Sequence, residues 1–414
     1  MKNRVVRLRD VASLNISNRR QNEKKIAYLD TGNIIENRVI KIQYFDYLDN
    51  IPSRAKRKVK EEDTIFSMVR PNQKHFGYIN RSMENLIVST GFSVVTPNKN
   101  KINSRYLFYL LTNNEVINIF QKLAEGCVST YPTLSLRDLL DFEFKLPSLE
   151  EQKRIADILT ALDDKIELNN QMNQTLEKIA SLLYKRWFVD FEFPDDKGNP
   201  YKSSGGEMVD SELGMIPKGW EVKELGDICE TIASGSTPSK IDVDNALDTS
   251  NELIGFIKVK DIINSEIQFS KIEFIPLLIS EEKMRRSILK ENDILLSMAG
   301  TIGRTARVSK EFSNMNINQA LATIRVEDII MIPYVYCWIN SIATQDSFKS
   351  KTVHAVQANL SLSSIRKQKI LIPETKVIKS YYNKINYNFK KIDLNILEIN
   401  KLKKIKINYL KILL

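Results

Sequence analysis

The residues of this 414-residue chain that could perform chemistry are few and far apart. Its two histidines, His75 and His354, sit in opposite halves with no HxxxH spacing, and its three cysteines, Cys127, Cys229 and Cys337, form no CxxC pair. Such usage supplies neither a metal site nor a disulfide framework and points to a reducing compartment. One stretch has a catalytic look: in "DLLDFEFKLP", Glu143 and Lys145 stand in the ExK spacing of metal-dependent nucleases, with Asp138 or Asp141 as a further carboxylate. Phe142, Phe144 and Leu146 alternate with them, as they do in a half-buried strand whose polar face carries Glu143 and Lys145, and the structural reading is preferred. No two prolines are adjacent, no glycines stand as GxG, and no GxxxxGK[ST] occurs, so adenine-methyltransferase, dinucleotide and P-loop motifs are all missing.

Cations that could hold phosphate are more numerous. Lys and Arg total 61 against 51 acids, a net +10 that favours a polyanionic partner. Residues 1–146 carry 24 basic and 15 acidic side chains, with a cluster at Arg54, Lys56, Arg57 and Lys58 near Tyr44 and Tyr47. Residues 217–372 balance 19 against 19, so their candidates are local. These are Ser236, Thr237 and Lys240 of "STPSK", Lys283 with Arg285 and Arg286, and Arg304 with Arg307 beside Gly300 and Gly303, which let backbone approach a phosphate. All twelve are expected to contact nucleic-acid backbone.

These candidates fall in two copies of one plan. "TLSLRDLLDFEFKLP" from Thr133 lies over "NLSLSSIRKQKILIP" from Asn359 at an offset of 226, "VKEEDTIFSM" over "LKENDILLSM" at 230, and "VRLRDV" over "VKELGDI" at about 217. Each copy is a mixed segment of short β-rich runs followed by a long helix, so an α+β fold is expected. The expected boundaries are a mixed domain at 1–146, a helix at 147–190, a Gly/Ser/Pro/Asp-rich linker at 191–216, a second mixed domain at 217–372 and a second helix at 373–414.

The helices read as a coiled coil. In the first, Ile155, Leu162, Asn169, Leu176 and Leu183 recur every seven residues, with Ile158, Met172 and Ile179 as the intermediate seam. The second keeps Ile385, Ile392 and Ile399, then Leu402, Ile405 and Tyr409. Asn169 aligns with Asn395, where a buried Asn would fix register and an exposed one would be ordinary surface. Net charges of −2 over 147–190 and +7 over 373–414 favour pairing of the two helices with each other. Since they end successive halves, an antiparallel pair in a pseudo-twofold dumbbell is expected. The 39 residues from Glu150 to Phe188 span about 58 Å, enough for two readers on DNA half-sites roughly 34–36 Å apart. No window approaches eighteen apolar residues and "MKNRVVRLRD" has no apolar run after its charges, so a cytoplasmic protein without a membrane segment is expected.

"LPSLEEQKRIADILTALDDKIELNNQMNQTLEKIASLLYKRWFVDFE", followed by "DSELGMIPKGW", "SGSTPSK" and "ILLSMAGTIGRTARV", resembles the specificity (S) subunit of type I restriction-modification systems. The resemblance runs over essentially the whole chain, in the order target-recognition domain, central conserved helix, second target-recognition domain, distal conserved helix. It implies a non-catalytic subunit that binds double-stranded DNA, each recognition domain reading half of a split target. It further implies two methyltransferase (M) subunits docked along the helices and two restriction (R) subunits in the full complex. No cofactor is implied for this chain; S-adenosylmethionine, ATP and Mg belong to the partner subunits. Two departures stand out. The distal helix offers "TKVIKSYY" where the central one has "EEQKRIA" and stops at Leu414, aligned with Phe188, which implies unequal M-binding surfaces. The first domain also begins without a counterpart of "IPKGW". The competing readings are a specificity subunit of a related non-type-I methyltransferase-nuclease, and a coiled-coil scaffold without DNA binding, which accounts for the helices but not for two repeated domains.

Overall fold

A computed structural model describes residues 4–19, 25–46, 50–81, 83–126, 131–247, 252–269, 272–350 and 359–411. Tyr47, Cys127 and His354 lie outside the described residues. Contacts divide the chain into two units, residues 1–167 with 401–414, and residues 168–400.

In the first unit the strands run β1 (Arg4–Arg7), β2 (Ala12–Leu14), β3 (Ile26–Leu29), β4 (Ile34–Ile35), β5 (Arg38–Val39), β6 (Gln43–Phe45), β7 (Ala55–Lys58), β8 (Thr64–Ser67), β9 (Phe76–Tyr78), β10 (Leu86–Ser89), β11 (Phe92–Pro97) and β12 (Glu143–Leu146). They form sheets β2-β11-β8-β9 and β6-β3-β10-β7, plus the pairs β1-β12 and β4-β5. β8 and β11, "TIFS" and "FSVVTP", are buried along their whole length, which explains their nearly unbroken apolar runs. Helices Ser104–Leu111 and Asn114–Glu125 start where the Asn103 and Asn113 side chains accept the N–H groups of Tyr106 and Glu115. Their Phe108 and Phe120 meet Phe76 and Phe66 edge to face, closing the core.

The second unit repeats this wiring. Its strands are β13 (Met208–Ser211), β14 (Gly214–Pro217), β15 (Glu221–Glu224), β16 (Cys229–Ser234), β17 (Leu253–Ile257), β18 (Ile262–Ile263), β19 (Glu266–Ile267), β20 (Glu273–Pro276), β21 (Ile294–Ser297), β22 (Thr305–Arg307), β23 (Asn316–Ile317), β24 (Leu321–Val326) and β25 (Lys369–Ile372). Sheet β16-β24-β21-β22 copies β2-β11-β8-β9, and β20-β17-β23 copies β6-β3-β10. The parallel pair β17/β23 stands where β3/β10 is parallel. Strands β15, β21 and β25 begin 217, 230 and 226 residues after β1, β8 and β12, the offsets read from the sequence. The shared "EED/END" has one physical function: Asp63 accepts the N–H of Lys60 at 2.9 Å and Asp293 that of Lys290 at 2.7 Å, closing the turn before the strand.

The stretch 191–216, expected as a linker, is instead folded. β13 and β14 pair as a hairpin. Phe193 stacks on Tyr201 at 4.6 Å and on Trp220 at 5.1 Å, inside the core of the second unit. These three aromatic residues anchor a segment whose Gly and Ser serve turns: Gly198 and Gly214 hold φ of 84° and 88°, a conformation that disfavours side chains.

The central helix spans Leu149–Tyr184 and continues as a π-helical turn, Lys185–Val189; the distal helix spans Thr375–Lys411. In the first unit, Lys406 reaches Asp163 at 2.6 Å, and Tyr409 and Leu410 pack on the core that holds Ile155 and Leu159. In the second unit, Asn169 Nδ2 donates to Glu398 at 2.9 Å, Asn395 Nδ2 to Asn173 Oδ1 at 2.8 Å, and Tyr381 to the carbonyl of Ala180 at 3.4 Å. Rising numbers on one helix meet falling numbers on the other, so the pair is antiparallel. Asn169 and Asn395 are both buried, which decides between the two readings of their alignment.

One column of the expected seam is displaced. Ile155 and Asn169 are buried, Ile158, Leu162, Met172, Leu176 and Leu183 half-buried, and Ile179 is 47% exposed. The intermediate column is Leu159, Ile166, Asn173, Ala180 and Trp187, one residue further on. Hydrophobicity favours Ile179, yet the small Ala180 lets the helices approach and Asn173 has partners across the seam. On the distal helix Ile385, Ile392, Asn395 and Ile399 are buried, Leu402 and Tyr409 half-buried, and Ile405 is exposed. Among the described residues no helix is long and apolar enough to cross a membrane.

Candidate nucleic-acid interface

In the first unit the basic cluster lies on and beside β7, an outer strand of β6-β3-β10-β7. The side chains of Arg54 and Lys56 are exposed and without a hydrogen-bond or ion-pair partner among the described residues. Arg57 is half-buried, its Nη1 enclosed without an acceptor, and this burial lowers its pKa. Lys58 is half-buried and engaged. Tyr44, 74% exposed, sits on β6. That is the opposite edge of the sheet, about 14 Å away at three strand spacings, so sequence proximity misleads here.

The second unit sorts its candidates sharply. Thr237 bonds Gln319, and Lys283 pairs with Asp242 on helix Lys240–Leu247. Arg304 donates to the carbonyls of Ile262 and Val259 at 3.2 and 3.4 Å, bracing the β18–β19 hairpin. Arg307 binds Asp393 on the distal helix at 2.5 Å and the carbonyl of Phe389 at 3.2 Å, and lies over the Phe389 ring. Each of the four finds an acceptor or carboxylate in its own unit. Arg307, 10% exposed and committed to the distal helix, is a correction to its expected place on DNA, whereas Thr237, Lys283 and Arg304 remain exposed. Lys240, Arg285 and Arg286 are exposed and unpaired among the described residues, and Ser236 is half-buried.

Two further residues escaped sequence reasoning. Arg366 donates to the carbonyl of Ile232 on β16 at 2.6 Å and lines a groove of about 550 Å³ together with Arg286. The first copy has Leu140 at the matching position, a mismatch within the repeat that marks it. Gln152 of "EEQKRIA" is buried; its amide accepts the N–H of Asn103 at 2.8 Å and donates to the carbonyl of Pro147 at 2.9 Å, locking the central helix onto the first unit.

The catalytic look of "DLLDFEFKLP" resolves into structure. Glu143 and Lys145 lie on the exposed face of β12, and Arg7 Nε binds Glu143 at 3.0 Å. Asp141 pairs with Arg9, and Asp138 accepts the Ser135 hydroxyl at 2.6 Å. His75 Nδ1 lies 2.6 Å from the carbonyl of Ile34. Burial pushes the Cys229 and Cys337 thiols up to about 12, which keeps them protonated at neutral pH. Among the described residues no three His, Cys, Asp or Glu side chains converge as a metal site.

Residues 2–178 and 217–409 match the family described as the type I restriction modification DNA specificity domain. The chain is 27% identical to the type I restriction enzyme HindI specificity subunit of Haemophilus influenzae, over 92% of each protein. It is 30% identical to the MjaIX specificity subunit of Methanocaldococcus jannaschii, over 80% of this chain and 72% of that one. Its fold aligns with the S subunit of a type I restriction-modification system from M. genitalium at a TM-score of 0.54 and 13% identity, covering 99% of this chain and 95% of that one. With one matched segment on each copy of the repeat, the chain belongs to the family of type I restriction-modification specificity subunits.

Proposed function

We propose that the chain selects DNA for a type I restriction-modification complex, each mixed unit reading one half of a bipartite target. The observation that carries this reading is the duplicated strand order, with a family match on both copies. Cations without a side-chain partner among the described residues, Arg54 and Lys56 in one copy and Lys240, Arg285 and Arg286 in the other, support phosphate contact. The chain contributes no catalysis: Glu143, Asp138 and Asp141 are engaged with neighbours. Methyl transfer to adenine from S-adenosylmethionine belongs to two M subunits, and ATP with Mg²⁺ serves two R subunits. Outward apolar residues in the second unit, Leu182 at 58% and Ile179 at 47% exposure on the central helix and Leu394 at 61% on the distal one, support M docking on the helices. The complex works in the cytoplasm, where its DNA is.

Purification of the chain alone and with its M subunit tests this. Alone it should neither methylate nor cleave; together they should form a complex of two M per chain that methylates one split sequence. Methylation of a continuous site, or metal-dependent cleavage by the isolated chain that Glu143→Ala removes, would contradict it.

A further inference from the structure

We propose that Arg286 and Lys56 are repeat-equivalent phosphate clamps, one for each half-site, and that in the second unit the clamp stands on the groove along β16. The inference rests on the DNA-specificity reading and says where the backbone of each half-site is held.

The groove, about 550 Å³, is lined by Thr231 and Ser234 of β16, Gly226, Arg286 and Arg366, and by Glu230, whose carboxylate is paired with Lys290 at 3.2 Å. β16 is the outer strand of its sheet, so one side of its backbone has no strand partner among the described residues. Two guanidiniums, two hydroxyls and a free strand edge suit an anion with several acceptor oxygens. Arg366 is tied to the carbonyl of Ile232, whereas Arg286 has no partner among the described residues. Among the described arginines of residues 217–372, Arg304, Arg307 and Arg325 are bonded within the unit and Arg366 to Ile232, which leaves the groove's Arg286 and its neighbour Arg285 available.

The repeat supplies the second argument. Asp63 and Asp293 close the same turn by accepting from Lys60 and Lys290. Four residues before each of those lysines stand Lys56 and Arg286, both with exposed side chains that have no partner among the described residues. Around them the copies diverge: Arg54 aligns with Met284 and Arg57 with Ser287, and both of these counterparts are buried. The first unit's cluster therefore keeps only one cation in the second. The two halves of a split target differ in bases but share the phosphodiester backbone, so a charge kept while its surroundings change matches the shared feature. That Lys serves in one copy and Arg in the other also fits a phosphate, which accepts either, better than a guanine edge, which favours the Arg fork.

The test is a salt titration of DNA binding by the S–M complex, with Lys56→Ala, Arg286→Ala and the double variant. Each single change should reduce the slope of log K against log salt by about 0.9 and the double by about 1.8, on target and non-target duplexes alike. The methylated sequence should stay the same, and melting of these surface variants should match wild type. An unchanged slope for either single variant overturns the assignment, as does an unchanged slope with one relaxed base position, which would make the residue a base reader. If the wild-type complex itself fails to bind duplex DNA, the specificity reading fails instead; wild-type binding with unaffected variants removes only the clamps.

Discussion

Arg286 and Arg307 carry the same charge in the same unit, but Arg307 is bound to Asp393 while Arg286 is exposed and unpaired among the described residues. Arg307 is 10% exposed and its partner Asp393 is 86 residues further along the chain. Removing one side of such a pair leaves the other desolvated without compensation. Arg307→Ala should therefore cost about 2–3 kcal/mol in denaturant unfolding, somewhat less than a fully buried pair, because Asp393 stays 30% exposed. Its salt slope for DNA should equal wild type; a slope reduced by about one unit would return Arg307 to the DNA surface. Sequence could name the cationic residues but not separate these two, since the separation depends on which carboxylate folding brings near. Asp63 and Asp293 show the same limit. They occupy one turn position, yet Asp293 is held by Arg325 at 2.7 Å while Asp63 has the Thr96 hydroxyl, and burial raises the Asp63 pKa.

Among the elements, the central helix joins its surroundings through polar groups inside an apolar seam. Asn173 accepts from Asn395 and donates to Glu266 of β19 at 3.1 Å. One turn further, burial and then the Glu266 carboxylate push the Glu177 pKa up to about 7. The folded value exceeds the unfolded one, so the folded state holds the proton more tightly. The associated stability is present below about pH 4.5 and is lost as pH rises to about 7. Glu177→Gln should stabilise the protein on the order of 2 kcal/mol at pH 8, a gain that fades by about pH 5. Urea unfolding across that range measures it, and a gain independent of pH would show that Glu177 does not titrate there. The helices, their repeat and the strand-by-strand copy were legible because hydrophobic period and internal duplication are properties of sequence. The seam column at Asn173 and Ala180 was not, because polarity and small size hid positions that packing requires. The folded stretch 191–216 was hidden likewise: its turn residues outnumber the Phe193, Tyr201 and Trp220 that anchor it.

For the molecule as a whole, the antiparallel register is what a reader-spacing role would act through. Asn169–Glu398 and Asn173–Asn395 fix opposite points on the two helices of the second unit. Four residues inserted after Asn170 alone would leave Asn173 on Asn395 and carry Asn169 away from Glu398. A matching insertion after Leu397 restores both pairs and lengthens each helix by about 6 Å, with a rotation of roughly 40° beyond a full turn. One DNA base pair adds about 3.4 Å and about 35°. The rotation suits one extra pair and the translation nearly two. A complex built on the doubly extended protein should therefore direct methylation to the same half-sites across a spacer longer by one or two base pairs, read by sequencing methylated sites in cells that carry it. The single insertion, which strains the register, should give weaker methylation or mixed spacers. A changed half-site with an unchanged spacer would show that the helices belong to the reading surface and do not set the distance.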